Sequence, residues 1–263
     1  MFTKFKVSSQ AIRQLKNKGG KIDLIDQTKS DKSFYNDILN VATGNDGIIN
    51  GTKLQHLDFP SINKEYDVFI SYSHSDDKDA LYLASWLNNH CQLTCFLDST
   101  VWHSADALLK VIDDKYCWQP DSDTYSYKKR NYSTSHVHAM LSMAMHDIIN
   151  RSECCIVIDS NNSFPLKDGI EKGTLSPWIY EEIAFITHMR PKLPSRYKNH
   201  FSMRLFSTGG QLCESRDVQG LKIKYNVDLG LFPPLCCDDI YSLRDGYNAL
   251  ERLYISKQVF SEV

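Results

Sequence analysis

Residues 65–77 read EYDVFISYSHSDD, and this stretch decides the fold. Its first part, residues 66–72, is a short run of β-branched and aromatic side chains, and a polar cluster over residues 73–77 follows at once. A run of this kind is typical of a buried strand that leads into a loop. We therefore predict a core strand here, with polar side chains at its carboxyl end.

Helix and strand patterns alternate after this first strand. Apolar residues recur at the i, i+3, i+4, i+7 spacing of a helix that packs on one face, at Ala80, Leu83, Ala84 and Leu87. Further strands are predicted over residues 93–97 and 154–158, with helices over 105–116 and 137–148 and from Ser176, which is followed by Pro177 as a helix start signal. Such alternation predicts an α/β fold whose parallel sheet carries helices on both faces.

The N-terminal segment, residues 1–63, has a different composition. It contains no Cys and no Trp, and its only helical patterns are weak ones around residues 11–15 and 34–41. We predict a small, mainly helical extension that stays outside the sheet and precedes a domain over residues 64–263.

Three further segments lack a clear pattern. Residues 117–135 are polar and aperiodic, which predicts a loop inserted in the domain. Residues 199–225 could hold one or two strands, and residues 238–256 have the apolar spacing of a terminal helix.

The charge balance excludes several classes of partner. The chain has 30 Lys and Arg against 32 Asp and Glu, a net charge of −2, so no global basic field exists to hold nucleic acid or an anionic membrane. The N-terminus lacks the apolar core of a signal peptide, and no apolar run approaches the roughly 18 residues of a membrane span. We expect a soluble cytoplasmic protein that binds neither nucleic acid nor membrane.

The cysteines and histidines do not have the spacing of metal ligands. None of the eight cysteines forms a CxxC pair, so we expect reduced thiols and no structural metal. His136 and His138 would point about 200° apart on a helix, which favours surface histidines over a metal site.

Each predicted strand ends in polar residues, and these suggest where a ligand would bind. They are Ser71, Tyr72 and Ser73 at the end of the first strand, Asp98 and Ser99 at the end of the second, and Asp159 and Ser160 at the end of the third. In open α/β sheets, ligands bind beyond the carboxyl ends of the strands, at the point where the strand order reverses. Polar strand ends are also common in loops that bind nothing.

Four blocks of the sequence together resemble the TIR (Toll/interleukin-1 receptor-like) domain family. In chain order they are EYDVFISYSHSDD (65–77), CFLDSTVWHSADALLKVI (95–112), CCIVIDSNNS (154–163) and SPWIYEEIAF (176–185). The resemblance covers residues 64–190 well and 190–255 loosely, and it does not cover the N-terminal segment. It implies a flavodoxin-like sheet.

The resemblance also implies one of two activities. Some TIR domains cleave NAD at the nicotinamide–ribose bond, with a glutamate four residues after the helix tryptophan, and others act as adaptors by self-association. Matched residue by residue, the catalytic glutamate is Glu182. The residues that the resemblance places around the pocket are Tyr72, Ser73, Asp98, Trp102 and Trp178. NAD is then the substrate, and neither a metal nor another cofactor is needed.

One departure from the family concerns the phosphates of the substrate. Enzymes of the family often carry Arg after the tyrosine of the first strand, whereas Ser73 and His74 follow Tyr72 here. Contacts to the phosphates must therefore come from other residues.

Helical phase separates Glu182 from its neighbour. Ile179, Ile183 and Ile186 form a stripe that should face the sheet. At about 100° per residue, Glu182 lies roughly 70° from the centre of that stripe, and Glu181 lies roughly 170° from it. We therefore expect Glu182 at the border of the core and Glu181 in solvent. The alternative is that both are ordinary first-turn glutamates, favoured by the helix dipole.

Two functions follow as expectations. The first is an NAD-consuming enzyme that resembles the stand-alone bacterial antiphage enzymes of the Thoeris kind, whose ADP-ribose-derived, cyclic product would activate a separate effector protein. The second is a non-catalytic TIR module that acts as a scaffold by self-association. The fate of NAD incubated with the pure protein distinguishes them.

Overall fold

The chain forms two compact units. The computed structural model describes residues 1–25, 32–59, 65–101, 105–165, 173–194, 202–203, 223–243 and 246–261. The first unit comprises Met1–Ile25, Glu65–Leu97 and Ile149–Val263, and the second unit comprises Asp26–Lys64 and Asp98–Ile148. In the described part of the chain, no helix is both long and apolar enough to cross a lipid bilayer.

Helices and short strands alternate along the described residues. The helices are α1 (Ser9–Gly19), α2 (Lys32–Ala42), α3 (Gly51–Asp58), α4 (Asp77–Cys91), α5 (Asp98–Val101), α6 (Ala105–Tyr116), α7 (Tyr127–Arg151), α8 (Pro177–His188), α9 (Cys237–Tyr241) and α10 (Gly246–Ser256). The strands are β1 (Thr3–Ser8), β2 (Val68–Ser71), β3 (Cys95–Phe96), β4 (Trp118–Gln119), β5 (Thr124–Tyr125), β6 (Cys154–Asp159), β7 (Gly173–Thr174), β8 (Ser202–Met203), β9 (Tyr225–Asn226), β10 (Pro234–Leu235) and β11 (Phe260–Ser261).

A five-stranded parallel sheet forms the centre of the first unit, in the order β10-β1-β6-β2-β3. The predicted α/β class with a parallel sheet is confirmed. If the strands are numbered from β2, the order β3-β2-β6 matches the 2-1-3 part of a flavodoxin-like sheet. The position beside β6 is taken by β1, from the very start of the chain.

The strand β1 corrects the prediction that residues 1–63 stay outside the sheet. β1 pairs with β6 over its full length of six residues and with β10 on its other side. Phe5 and Val7 are fully buried, whereas Lys4 and Lys6 are only half-buried. Strands inside parallel sheets are normally apolar on both faces, so the alternating lysines concealed a central strand.

The division of the chain also differs from the predicted boundary at residue 64. Residues 1–25 belong with the sheet in the first unit, while residues 26–64 join residues 98–148 in the second. The predicted helical patterns near residues 11–15 and 34–41 do form helices, α1 and α2, but these belong to different units. Helical periodicity reports which face of a helix is buried, and it carries no information on the partner that buries it.

Residues 117–135 form regular structure, which corrects the prediction of an inserted loop. The strands β4 and β5 form a hairpin, and α7 begins at Tyr127. The first turns of α7 present polar side chains to solvent and bury the hydroxyl group of Ser133, so they lack the apolar spacing by which a helix is found.

The C-terminal predictions have mixed outcomes. The prediction of one terminal helix over residues 238–256 is wrong in one respect, because two separate helices, α9 and α10, form there. Ser242 is the C-cap residue of α9. Within residues 199–225, β8 and β9 pair outside the central sheet, with β11 and β7 respectively. Residues 204–222 lie outside the described residues.

The two faces of the central sheet differ in character. A large apolar cluster on one face joins alternate residues of the strands to α1, α4 and α10; its strand members include Phe5, Val7, Val68, Ile70, Cys154, Ile156 and Ile158. Because side chains alternate along a strand, Cys155, Val157 and Asp159 point to the opposite face.

Candidate functional site

The strand order of the central sheet reverses between β2 and β6. From β2 the chain moves outwards to β3, and it then returns to the other side of β2 to form β6. The carboxyl ends of β2 and β6 therefore flank the switch point, where ligands bind in open α/β sheets. Ser73 follows β2 at this edge, and Ser160 follows β6.

Hydrogen bonds tie the loops after these two strands together. Asp76 accepts a hydrogen bond from the hydroxyl of Ser160 through Oδ2, and its Oδ1 accepts one from Asn162 Nδ2 at 2.7 Å. The backbone N–H of Ser73 donates to Ser163 Oγ at 3.2 Å. The backbone N–H groups of Asn162 and Ser163 donate to Ser160 Oγ at 3.1 and 2.9 Å. We call these five residues the loop clamp.

The loop clamp is buried, and its carboxylate is used for the contact between loops. The side chains of Asp76, Ser160 and Ser163 are all buried. Asp76 is the N-cap residue of α4, yet its side chain makes no capping hydrogen bond to that helix. An N-cap aspartate normally accepts from the first-turn N–H groups. Here both carboxylate oxygens bind the loop after β6 instead.

The helix α8 forms as the sequence predicts. Ser176 is its N-cap and accepts from the Ile179 N–H at 3.3 Å, and Pro177 occupies the first helical position. The stripe of Ile179, Ile183 and Ile186 is buried, as predicted.

The two glutamates of α8 are less different than predicted. Glu181 was expected in solvent, but both Glu181 and Glu182 are half-buried. The Oε2 atom of Glu182, however, is completely enclosed. A helical wheel of α8 alone carries no information on what packs around the helix, which explains the difference.

The negative charge of Glu182 acts on Cys155 of β6. Burial raises the pKa of the Cys155 thiol; the Met1 ammonium lowers this pKa, the negative charge of Glu182 raises it, and Lys4 lowers it. Cys155 lies on the same face of β6 as Asp159, which is at the carboxyl end of that strand. At about 3.3 Å per residue, Cys155 and Asp159 are roughly 13 Å apart along the strand.

The structure brings only some of the predicted site residues together. Trp178 is half-buried and lies one helical turn before Glu182, so these two side chains are neighbours on α8. Ser73 lies at the switch-point edge within the loop clamp. Asp98 is the first residue of α5 and belongs to the second unit, and Trp102 lies outside the described residues.

Tyr72 is a buried core residue, and its place in a substrate pocket stays a prediction. Its ring is buried in the apolar cluster that contains Val68 and Ile70, on the face opposite Cys155. Its hydroxyl donates to Asp77 Oδ1 at 3.2 Å. Tyr72 directly follows β2 and continues the alternation of Val68 and Ile70, which makes it a core residue.

Sequence reasoning missed the loop clamp, because its two halves are far apart in the chain. The polar residues at 73–77 and at Asp159 and Ser160 are visible in the sequence, but nothing in either cluster indicates that it contacts the other. Asp76 and Ser160 are 84 positions apart, and only the pairing of β2 with β6 brings them together.

No group of three or more His, Cys, Asp or Glu side chains with the geometry to hold a metal ion occurs among the described residues. Comparisons of the chain with protein-family models, with curated proteins and with solved structures gave no match.

Proposed function

We propose that the first unit cleaves NAD at the bond between nicotinamide and ribose, with Glu182 as the catalytic carboxylate. The observation that carries this proposal is the enclosed Oε2 atom of the half-buried Glu182 on α8, whose negative charge acts on Cys155 of β6. Burial of a carboxylate costs free energy, and buried ionisable groups concentrate at functional sites. The resemblance of four sequence blocks to TIR domains supports the choice of NAD.

The proposed reaction requires little of the protein. The bond between ribose C1′ and the positive ring nitrogen breaks, and its electron pair neutralises that nitrogen as nicotinamide leaves. The ribose becomes an oxocarbenium-like cation, as in glycoside cleavage. Glu182 stabilises this developing positive charge, and a carboxylate fixed in a site without water is effective because it need not reorient.

The second step decides the product. Water that adds to ribose C1′ and releases a proton gives ADP-ribose, whereas attack by another group of the same molecule gives a cyclic product. Trp178, one turn from Glu182, offers an aromatic surface that would exclude water from the reacting ribose. The resemblance to stand-alone antiphage enzymes favours a cyclic product that acts on a separate effector.

The test compares substitutions of the two adjacent glutamates of α8. Glu182→Gln keeps the side-chain volume and removes the charge, so we expect kcat for NAD cleavage to fall at least about 100-fold, the effect of losing one transition-state contact. Its thermal midpoint should be unchanged or higher, because an amide is cheaper to bury than a carboxylate. Glu181→Gln is the matched control, and its activity should stay within about two-fold of the wild type.

Mass spectrometry of the nucleotide products reports both cleavage and product identity. Equal loss of activity in the two variants would contradict the role of Glu182. A wild-type protein that leaves NAD intact would contradict the enzyme and favour the second candidate, a TIR-like scaffold that acts by self-association.

A further inference from the structure

We propose that Asp76 is a positioning residue that holds the loops after β2 and β6 in the geometry in which the substrate binds. This inference rests on the proposed function, because it takes the substrate of that reaction to bind at the switch-point edge. Asp76 does not contact the reacting atoms in this account. It acts through Ser160 and Asn162, which it fixes by hydrogen bonds.

The contact lies at the edge of the sheet where a ligand would bind. β2 and β6 are neighbouring strands, and the loops beyond their carboxyl ends flank the switch point. A ligand at this edge must touch one or both loops. The separation of the loops therefore sets the width of any crevice between them.

The Asp76 carboxylate binds the opposite loop with both of its oxygens. Asp76 is buried and uses one oxygen for the hydroxyl of Ser160 and the other for the amide of Asn162. Hydrogen bonds to a charged acceptor are stronger than those between neutral groups, and they are most effective away from water. A single side chain on one loop thus fixes two residues of the other.

The start of α4 does not need the Asp76 side chain. A 3₁₀ turn, His74–Asp76, runs directly into α4, and the Asp77 N–H donates to the His74 carbonyl. Asp76 makes no side-chain capping hydrogen bond to α4. Its carboxylate therefore binds the opposite loop, and this contact between loops is the role of the side chain.

Further hydrogen bonds connect the Asp76–Ser160 contact to Ser163 and Ser73. Ser160 Oγ donates to Asp76 and accepts the N–H groups of Asn162 and Ser163, and Ser163 Oγ in turn accepts the N–H of Ser73. The chain of hydrogen bonds therefore returns to the loop that carries Asp76. Removal of the carboxylate should loosen both loops together.

The experiment is a double-mutant cycle on the full chain with Asp76→Ala, Ser160→Ala and the double variant. We expect each single variant to raise KM for NAD about ten-fold while kcat changes less than about three-fold, because the substrate loses its preformed rim but Glu182 is untouched. The double variant should resemble the singles, since both substitutions break the same contact. Asp79→Ala on α4, which removes an ion pair with Lys16, is the control and should leave KM unchanged.

Hydrogen exchange gives a readout that does not depend on catalysis. In Asp76→Ala, the amides of Ser73, Asn162 and Ser163 should exchange faster together, while amides in the middle of α4 keep their protection. An unchanged KM in a folded, active Asp76→Ala variant would overturn the inference, as would exchange that changes in only one loop. A wild type without NAD cleavage would overturn the proposed function alone, and the exchange data would still decide whether Asp76 couples the two loops.

Discussion

Asp58 is a carboxylic acid at the end of α3 in the second unit, and its side chain is completely buried. Both of its carboxylate oxygens lack a hydrogen-bond partner within the described part of the chain. Burial alone raises the pKa of this carboxyl group to about 7. The folded protein therefore binds a proton at pH values where the unfolded chain has already released it.

We predict that this proton makes stability fall as the pH rises. The folded pKa lies above the unfolded value of 3.8, so the stabilisation is complete below about pH 4 and is lost as the pH approaches 7. Over this window the free energy of unfolding should decrease by about 1.4 kcal/mol per pH unit from this group. Asp58→Asn should remove that slope, as measured by urea denaturation from pH 4 to pH 8. The exposed Asp37 of α2 provides the control, and a slope that survives in Asp58→Asn would contradict the prediction.

The hairpin of β4 and β5 and the start of α7 depend on a buried carboxylate of α6. Asp113 accepts hydrogen bonds from Arg130 Nε at 2.9 Å, from Ser133 Oγ at 2.5 Å and from Cys117 Sγ at 3.3 Å. These residues lie at the end of α6 and in the first two turns of α7. Polar contacts therefore order a segment that lacks an apolar pattern.

We predict that Asp113→Ala loosens residues 117–135 and destabilises the second unit by about 2 kcal/mol. This is the scale of hydrogen bonds to a charged group. The loss is not larger because the partially exposed Arg130 side chain can bind water once the Asp113 carboxylate is gone. Hydrogen exchange of peptides from the hairpin and from the first turns of α7 should accelerate, and chemical denaturation should report the lost stability. Asp106→Ala, an exposed change in the first turn of α6, should have a much smaller effect. Unchanged exchange over residues 117–135 would contradict the role of Asp113.

At the scale of the whole molecule, the N-terminal residues supply an interior strand of the central sheet in the first unit. β1 lies between β6 and β10, and the apolar residues of β1 and α1 belong to the main core of the unit. The lysines of β1 keep their amines near polar or aromatic groups: Lys6 Nζ donates to the Leu229 carbonyl at 2.8 Å, and the Lys4 amine lies 5.1 Å from the centre of the Phe232 ring. A central strand can therefore carry two cations.

We predict that removal of residues 1–25 unfolds the first unit, because it exposes one whole edge of β6 and deletes part of the core. Near-ultraviolet circular dichroism and a thermal melt of the truncated protein should show no cooperative transition for this unit. A truncated chain that still melts cooperatively would show that β1 is dispensable.

The single change Phe5→Ala should already lower the free energy of unfolding by about 3 to 5 kcal/mol, since the Phe5 ring is fully buried. Lys21→Ala at an exposed position should change the free energy of unfolding little.

The sequence by itself determined the elements whose periodicity reflects their own burial. The strands β2 and β6 appear as apolar runs, and the helices α4, α6 and α8 appear through apolar residues on one face. The start of α8 was also predictable, since the hydrogen bond of Ser176 to its own helix joins residues three apart. These features depend on neighbours in the chain, and short-range patterns are sufficient to find them.

Only the tertiary structure decided which elements are partners. Strand pairing joins residues far apart in the chain, so no local pattern could reveal that β1 fills the position beside β6. The same holds for Asp76 and Ser160, and for the face of the sheet on which Tyr72 lies. A polar residue before a helix looks the same whether its carboxylate caps that helix or binds another loop, because the difference is made by what the fold brings within hydrogen-bond distance.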